Sequence, residues 1–131
     1  PYRSDDGGDS WCSLELPGPL QIVWSICLEP RDSDTLFVGA EGCAIYRSRD
    51  GGLNWEKLKV PTPKGVPEMP FPTRVIRLVI DQSNPDEIYA GLEVNGVVRS
   101  LDGGDTWTDI NIATSSVGYG ASSNGHSKID I

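Results

Sequence analysis

The chain has 131 residues and a formal net charge of −8, with 37% apolar and 23% charged residues. This length and composition fit one globular domain with its own core, and no apolar run is long enough to span a membrane. The negative charge disfavours nucleic acid and anionic lipid as partners, because both are bound by positively charged surfaces.

The first predicted element is a polar octet that recurs twice more along the chain. Residues 4–11 read S-D-D-G-G-D-S-W, residues 48–55 read S-R-D-G-G-L-N-W, and residues 100–107 read S-L-D-G-G-D-T-W. Ser, Asp, Gly-Gly and Trp return at fixed spacing, which indicates an internal repeat. A polar stretch with two glycines between apolar runs predicts a tight turn between antiparallel strands. We therefore interpret each octet as a structural turn whose Ser and Asp side chains accept hydrogen bonds from turn N–H groups.

Residues 22–60 are predicted to form four short strands, and residues 74–112 repeat them. A shift of 52 positions places Val23 on Val75, Glu41 on Glu93 and Arg47 on Arg99. The predicted strands are 22–28, 35–40, 44–48 and 54–60 in the first unit, and 75–80, 88–92, 97–100 and 106–110 in the second. No segment longer than a turn has helical periodicity. Tandem units of four antiparallel strands predict an all-β fold with two complete β-propeller blades.

The chain is predicted to begin and end within a blade. Residues 1–17 would supply the last two strands of one blade, and residues 113–131 a Gly/Ser-rich connection with a candidate first strand of another. Propellers close with about four to eight blades. We therefore expect the remaining blades to come from the same polypeptide, of which this chain would be an excerpt. The alternative is that other copies of the chain supply them.

The octets resemble the Asp-box, S-x-D-x-G-x-[ST]-W. This is the repeat of bacterial sialidases, sortilin-type receptors, xyloglucan-cleaving glucanases and photosystem II assembly factors, all of which are β-propellers. The matching residues are Ser4, Asp6, Gly8, Ser10, Trp11, Ser48, Asp50, Gly52, Trp55, Ser100, Asp102, Gly104, Thr106 and Trp107. Asn54 stands where the pattern has Ser or Thr. The resemblance implies a propeller and favours a secreted or extracellular location, but it does not select a function, because these families differ in activity.

Internal repetition also separates the acidic residues that occur in both units from those that occur in only one. Carboxylates present in both units, such as Asp34 and Asp86, are explained by packing and turns. The acids without a counterpart are Glu29, Asp32, Glu68, Glu87 and Asp109. Nothing in the sequence brings two of them together, as glycoside hydrolysis requires. Arg74, in F-P-T-R-V, only distantly resembles the F-R-I-P stretch of sialidases, so no catalytic residue is predicted.

The cysteines and the single histidine do not have metal-site spacing. Cys12, Cys27 and Cys43 form no C-x-x-C pair, and His126 lies in the Gly/Ser-rich tail. We therefore predict no metal and no cofactor. The three cysteines are expected to be either three free thiols or one disulfide and one free thiol.

The connection between the two units is the candidate binding site. It takes 20 residues from Trp55 to Val75, against 12 from Trp11 to Val23, because of a Pro-rich insertion at residues 61–73. The alternation of strand directions places this insertion on the face opposite the octets, and long loops on one face commonly carry ligand sites. The predicted binding residues are Lys57, Lys59, Lys64, Met69, Phe71, Arg74 and Arg77. The alternative is a plain linker.

The sequence thus predicts a non-catalytic scaffold that binds a protein or glycan ligand. If the basic residues contact this ligand, the ligand is expected to be acidic. Arg77, whose counterpart is Ser25, is expected in an inner strand that lines the propeller channel, next to a partner anion. One alternative is a segment of a propeller glycoside hydrolase, sialidase-like or xyloglucanase-like, with catalytic residues partly outside this chain. A further alternative is a redox-linked assembly factor resembling the photosystem II type.

Overall fold

The computed structural model describes residues 1–19, 21–63, 65 and 67–111, and these residues form an all-β fold. They contain no helix long and apolar enough to cross a bilayer. The strands are β1 (Tyr2–Arg3), β2 (Cys12–Ser13), β3 (Val23–Leu28), β4 (Leu36–Ala40), β5 (Ala44–Ser48), β6 (Glu56–Lys57), β7 (Val75–Ile80), β8 (Ile88–Leu92), β9 (Gly96–Ser100) and β10 (Thr108–Asp109). The predicted fold class is confirmed. The predicted connection and strand at 113–131 lie outside the described residues.

The strands form three antiparallel sheets in chain order. We call the sheet β3–β6 the first blade, the sheet β7–β10 the second blade, and the pair β1–β2 the leading pair. Equivalent strands pair in the same register: Phe37 lies opposite Arg47, and Tyr89 lies opposite Arg99. Both inner strands, β3 and β7, also carry an irregularity after their first residue. The 52-residue repeat read from the sequence is therefore a repeat of strand pairing.

The fourth strand of each blade is shorter than predicted. The ranges 54–60 and 106–110 shrink to the two-residue strands β6 and β10. The reason is that Asn54 and Thr106 bond back to an aspartate within their own turn and so cannot join the ladder. Pairing still continues past each strand, since the N–H of Leu58 donates to Ile45 O.

The two blades pack face to face through alternate residues of their strands. Phe37 and Ile45 of the first blade are buried in one cluster with Val75, Leu78 and further apolar residues of the second blade. Val38, Ala40, Ala44 and Tyr46 point the other way and form a cluster with Leu16 and Trp55. This two-sided burial is typical of successive propeller blades, in which each sheet is covered on both faces.

Gly39 lets the two inner strands approach closely. A Cβ atom at this position would lie 2.5 Å from Val75 Cγ1 and 2.5 Å from Ser25 Oγ, which is far inside van der Waals contact. The Ser25 hydroxyl donates to Val75 O across the same gap, at 3.1 Å. A side chain larger than hydrogen at position 39 would therefore separate the blades.

Candidate functional site

The three Asp-boxes share one set of hydrogen bonds. In the third, Ser100 Oγ accepts from the N–H of Gly104 at 2.9 Å, and Asp102 Oδ1 accepts from the N–H of Thr106 at 2.8 Å. The Thr106 hydroxyl donates to the second carboxylate oxygen. The first box repeats these contacts through Ser4, Asp6 and Ser10. Each carboxylate is thus engaged by its own turn, as expected for a structural element.

The middle box departs from the pattern without losing a contact. Asn54 Nδ2 donates to Asp50 Oδ2 at 2.7 Å, which replaces the bond from a Ser or Thr hydroxyl. Its backbone N–H donates to Asp50 Oδ1 at 2.8 Å, as in the other boxes. An amide at this position therefore satisfies the same acceptor, because it also carries a donor.

The indole groups of the boxes differ more than their turns do. Trp11 and Trp107 donate from Nε1 to the carbonyls of Gly8 and Gly104, at 3.1 and 2.9 Å. Trp55 Nε1 is buried and has no acceptor within the described part of the chain. The exposed fraction falls from 61% for Trp11 to 8% for Trp107, because Trp107 packs on the first blade.

The turn bonds lower the pKa of all three Asp-box carboxyls. The largest cause is the side-chain bond from the residue four positions on, and the pKa falls to about 2 for Asp6, Asp50 and Asp102. The unfolded value is about 3.9. A carboxyl with a lower pKa in the folded state stabilises the fold above the unfolded value, and this contribution is lost as the pH falls through the folded value.

We therefore expect the melting temperature to fall as the pH drops from about 4 to about 2. The double variant Asp50→Asn, Asp102→Asn should flatten this part of the profile, because an amide keeps an acceptor oxygen but takes up no proton. Asp9→Asn removes the same kind of charge without touching a side-chain turn bond and should leave the profile unchanged. A double variant with wild-type acid sensitivity would contradict the assignment.

The Pro-rich insertion lies on the opposite face and closes a cavity of about 440 Å³. The cavity is lined by insertion residues, Met69 and Phe71 among them, by Gly42 and Cys43 of the β4–β5 turn, and by Asn95 of the β8–β9 turn. The N–H of Cys43 donates to Thr73 O at 3.0 Å, which ties the insertion to the first blade. The cavity therefore spans both blades and the loop between them.

A free thiol lies in the wall of this cavity. Cys43 Sγ is 3.0 Å from Thr73 Oγ1, and Asn95 Nδ2 donates to the same sulfur at 3.6 Å. Cys43 has a positive φ of 52°, which is uncommon for a residue with a side chain. The thiols of Cys12, Cys27 and Cys43 are all free, and burial raises the pKa of the Cys27 thiol.

The predicted binding residues are only partly brought together. Met69 and Phe71 line the cavity, and Phe71 is 43% exposed. Lys57, in β6, and Lys59 are exposed just before the insertion, and neither lines the cavity. Lys64 lies outside the described residues.

Arg74 is engaged within the fold. Its Nε and Nη2 donate to the two carboxylate oxygens of Glu93 at 2.7 and 2.9 Å. Its guanidinium carbon lies 4.2 Å from the centroid of the Trp24 ring. Because this guanidinium already has a carboxylate and an aromatic face as partners, its charge is largely compensated.

Arg77 differs from expectation in its surroundings. It is exposed on β7, opposite Gly91. Its counterpart Ser25 faces the neighbouring blade, so Arg77 lies on the side of the second blade that a next blade would cover. The anion expected beside it is not found among the described residues.

Four of the five acids without a counterpart bond to a residue two or three positions away in the chain. Glu29 pairs with Arg31 at 2.8 Å, Glu87 accepts from the Tyr89 hydroxyl, and Asp109 accepts from the N–H of Asn111 at 2.9 Å. Asp32 accepts from the Thr35 hydroxyl, which lowers the Asp32 pKa. The fifth, Glu68, is exposed and lines the cavity. Local hydrogen bonding thus accounts for most of these carboxylates.

Sequence reasoning missed the contribution of the two hairpin turns. Gly42, Cys43 and Asn95 line the cavity although they are far from the insertion in sequence. The available signal was Asn95-Gly96, which predicts a hairpin turn. It places that turn on the same side as the insertion, but its distance from Met69 and Phe71 depends on how the blades pack.

Comparison with known proteins places the chain among β-propellers. The family model Sortilin-Vps10, described as "Sortilin, neurotensin receptor 3", matches residues 1–130. The search of curated proteins found no match. Among solved structures, an ancestral GH74 enzyme is similar with a TM-score of 0.61 and 21% identity, over 83% of this chain and 15% of that one. The GH74 enzyme of Niastella koreensis has a TM-score of 0.49 and 28% identity, over 65% of this chain and 13% of that one. The chain thus spans about a seventh of the length of these enzymes, and the likeness concerns the fold.

Proposed function

Because this chain belongs to the Sortilin-Vps10 family of β-propellers, we propose that it forms part of a non-catalytic binding scaffold that holds a protein or glycan ligand at the Pro-rich insertion. The observation that carries the proposal is the cavity that the described residues of the insertion form with the two hairpin turns. The Asp-boxes, at the other ends of the strands, serve the fold.

The cavity wall suits binding because much of it is ordered in advance. Proline fixes one backbone angle, so a Pro-rich loop loses little conformational entropy when a ligand orders it. Met69 is half-buried and adaptable in shape, and Phe71 offers an exposed ring. Exposed apolar groups on a preordered loop favour contact with an extended peptide or with the apolar face of a sugar.

The charge near the insertion favours an acidic ligand. Lys57 and Lys59 are exposed, whereas Arg74 is compensated by Glu93. The two lysines would attract the ligand over a distance rather than clamp it, and such attraction is screened beyond about 10 Å at 0.1 M salt. Association should therefore weaken as salt is added.

The hydrolase alternative finds less support in the described residues. Glycoside hydrolysis needs two carboxylates across the bond that is cleaved. Glu93 is held by Arg74, and the acids without a counterpart, apart from Glu68, bond to residues two or three positions away in the chain. The GH74 likeness supports a shared fold. A hydrolase of this kind would take its catalytic pair from elsewhere in the polypeptide.

The proposal is tested in the full-length protein by replacing residues 61–72 with a short Gly-Ser turn. We expect the melting temperature to be retained, because the insertion lies outside the two strand ladders. Binding of soluble polyglutamate, followed by titration calorimetry at low salt, should be lost. A Lys57→Glu, Lys59→Glu variant should weaken binding and reduce its salt dependence.

Two controls separate the alternatives. Leu53→Ala alters an exposed side chain on the Asp-box face and should leave polyglutamate binding unchanged. Incubation with xyloglucan should give no reducing ends. Unchanged binding in the insertion variant would reject the binding site, and xyloglucan cleavage by the wild-type protein would favour the hydrolase.

A further inference from the structure

The charge inside the cavity at the insertion is opposite in sign to the charge beside it. Among the described residues that line the cavity, Glu68 is the only one with a charged side chain. Glu68 is exposed, and none of the ion pairs between described residues includes it. The exposed Lys57 and Lys59 do not line the cavity. A ligand therefore meets a negative charge within the cavity and positive charges outside it.

Hydrogen-bond donors are scarce in the described part of the cavity wall. Asn95 Nδ2 is engaged with Cys43 Sγ at 3.6 Å, and the N–H of Cys43 is engaged with Thr73 O at 3.0 Å. Four lining residues are prolines, which have no backbone N–H: Pro61, Pro63, Pro67 and Pro72. No backbone N–H of a described residue donates to their carbonyl oxygens. The wall thus fits a ligand group that donates hydrogen bonds.

A basic side chain has the chemistry that matches this wall. The charged groups of lysine and arginine carry several donors and no acceptor, so they complement the Glu68 carboxylate and the proline carbonyls. Their alkyl stems pack along apolar surface, which Met69 provides. A cation is also attracted to the face of an aromatic ring, such as that of Phe71. An acidic side chain would be repelled by Glu68 at the same position.

We propose that the cavity takes a basic side chain, lysine or arginine, from a peptide that is otherwise acidic, and this assignment rests on the ligand site proposed above. The cationic end group lies at Glu68, while flanking carboxylates of the peptide lie near Lys57 and Lys59. The separation of the two signs of charge then selects a peptide of mixed charge. A glycan that carries only carboxylates has no cation for Glu68.

The test uses the full-length protein and two peptides with blocked ends. Both consist of glutamates around one central residue, which is lysine in the first peptide and norleucine in the second. Norleucine keeps the alkyl stem of lysine and lacks the ammonium. In titration calorimetry at low salt, the lysine peptide should bind about two- to fivefold more tightly, as expected for an exposed ion pair. Equal affinities, or tighter binding of the norleucine peptide, would overturn the proposal.

Glu68→Gln tests whether the preference for lysine arises in the cavity. This variant keeps the size of the side chain and removes its charge, so it should abolish the difference in affinity between the two peptides. Glu15→Gln removes the same charge from an exposed residue that does not line the cavity, and it should retain the difference. A preference for lysine that survives Glu68→Gln, or that Glu15→Gln removes equally, would contradict a contact with Glu68.

The chain has a lysine of its own that could compete with the peptide. Lys64 is the other charged residue of the insertion, and it lies outside the described residues. The preference for the lysine peptide should be present in the wild-type protein and persist in Lys64→Gln. A preference that appears only in Lys64→Gln would assign Glu68 to Lys64 and overturn the proposal.

Failure of the lysine contact and failure of the ligand site give different results. If the replacement of residues 61–72 leaves polyglutamate binding unchanged, the ligand site itself is rejected. If that replacement abolishes polyglutamate binding but the two peptides bind the wild-type protein equally, the site stands and the lysine contact is rejected. Polygalacturonate provides the last comparison: if it binds more tightly than the lysine peptide and the replacement abolishes this binding, the ligand is a glycan instead.

Discussion

Phe37→Ala is expected to lower the free energy of unfolding by about 3–5 kcal/mol. Phe37 is 1% exposed, and its ring lies between the blades against the turn of the third Asp-box. Alanine removes most of the contact between β4 and that turn and leaves a cavity that Gly104 cannot fill. Urea denaturation followed by tryptophan fluorescence measures the change, since Trp107 is buried in the same cluster.

A surface leucine gives the matched control for this variant. Leu101 is 58% exposed, so Leu101→Ala should change the free energy of unfolding by no more than about 0.5 kcal/mol. If Phe37→Ala proved as mild as Leu101→Ala, the interface between the blades would not have the packing described above.

Ser100→Ala is expected to cost about 1–3 kcal/mol, because it leaves a buried N–H group without an acceptor. Ser100 is 1% exposed, and its hydroxyl oxygen accepts from the buried N–H of Gly104. The change removes a single oxygen and opens little space. The hydroxyl also donates to Asp102 Oδ1 at 2.8 Å, as Ser4 donates to Asp6 Oδ1 in the first box. The contribution of the buried N–H group is therefore the difference between the effects of the two serine substitutions on the midpoint of urea denaturation.

The first Asp-box provides a graded comparison for the same substitution. Ser4 accepts from the N–H of Gly8 at 2.7 Å, but this contact is exposed and water can replace the hydroxyl. Ser4→Ala should therefore cost clearly less than Ser100→Ala. Equal costs in the two boxes would mean that burial does not determine the contribution of the turn.

The repeated parts of the fold could be predicted from the sequence because each is fixed locally. The octets specify their own hydrogen bonds through residues within four positions of each other. Strands β5, β7 and β8 begin and end as predicted, because turn residues on both sides of each apolar run mark the ends of the strand. The fourth strands, β6 and β10, were predicted too long. Asn54 and Thr106 are next to residues that favour strands, but each bonds to an aspartate of its own turn and so does not pair with the neighbouring strand.

The candidate site could be predicted only in outline. Its location on the face opposite the octets follows from strand alternation, and Met69 and Phe71 do line the cavity. The pairing of Arg74 with Glu93 and Trp24 could not be predicted, because it depends on where an edge of the second blade meets the first. The surroundings of Arg77 depend on packing between blades in the same way.

The two faces of the described chain thus differ in how much they repeat. On the Asp-box face, the serine and aspartate of each box accept the same backbone hydrogen bonds in all three boxes. The insertion, in contrast, occurs in one connection between blades and has no counterpart after Trp11. The repeated contacts serve packing and turns. A site selective for one ligand is therefore expected on the face that carries the insertion.

The most direct test of this division measures stability and polyglutamate binding together, in full-length variants of each face. Ser100→Ala should lower the melting temperature and leave the affinity unchanged at a temperature where the variant is folded. Replacement of residues 61–72 should abolish binding and leave the melting temperature unchanged. The account would be contradicted if Ser100→Ala removed binding at an unchanged melting temperature, or if the replacement bound polyglutamate as the wild-type protein does.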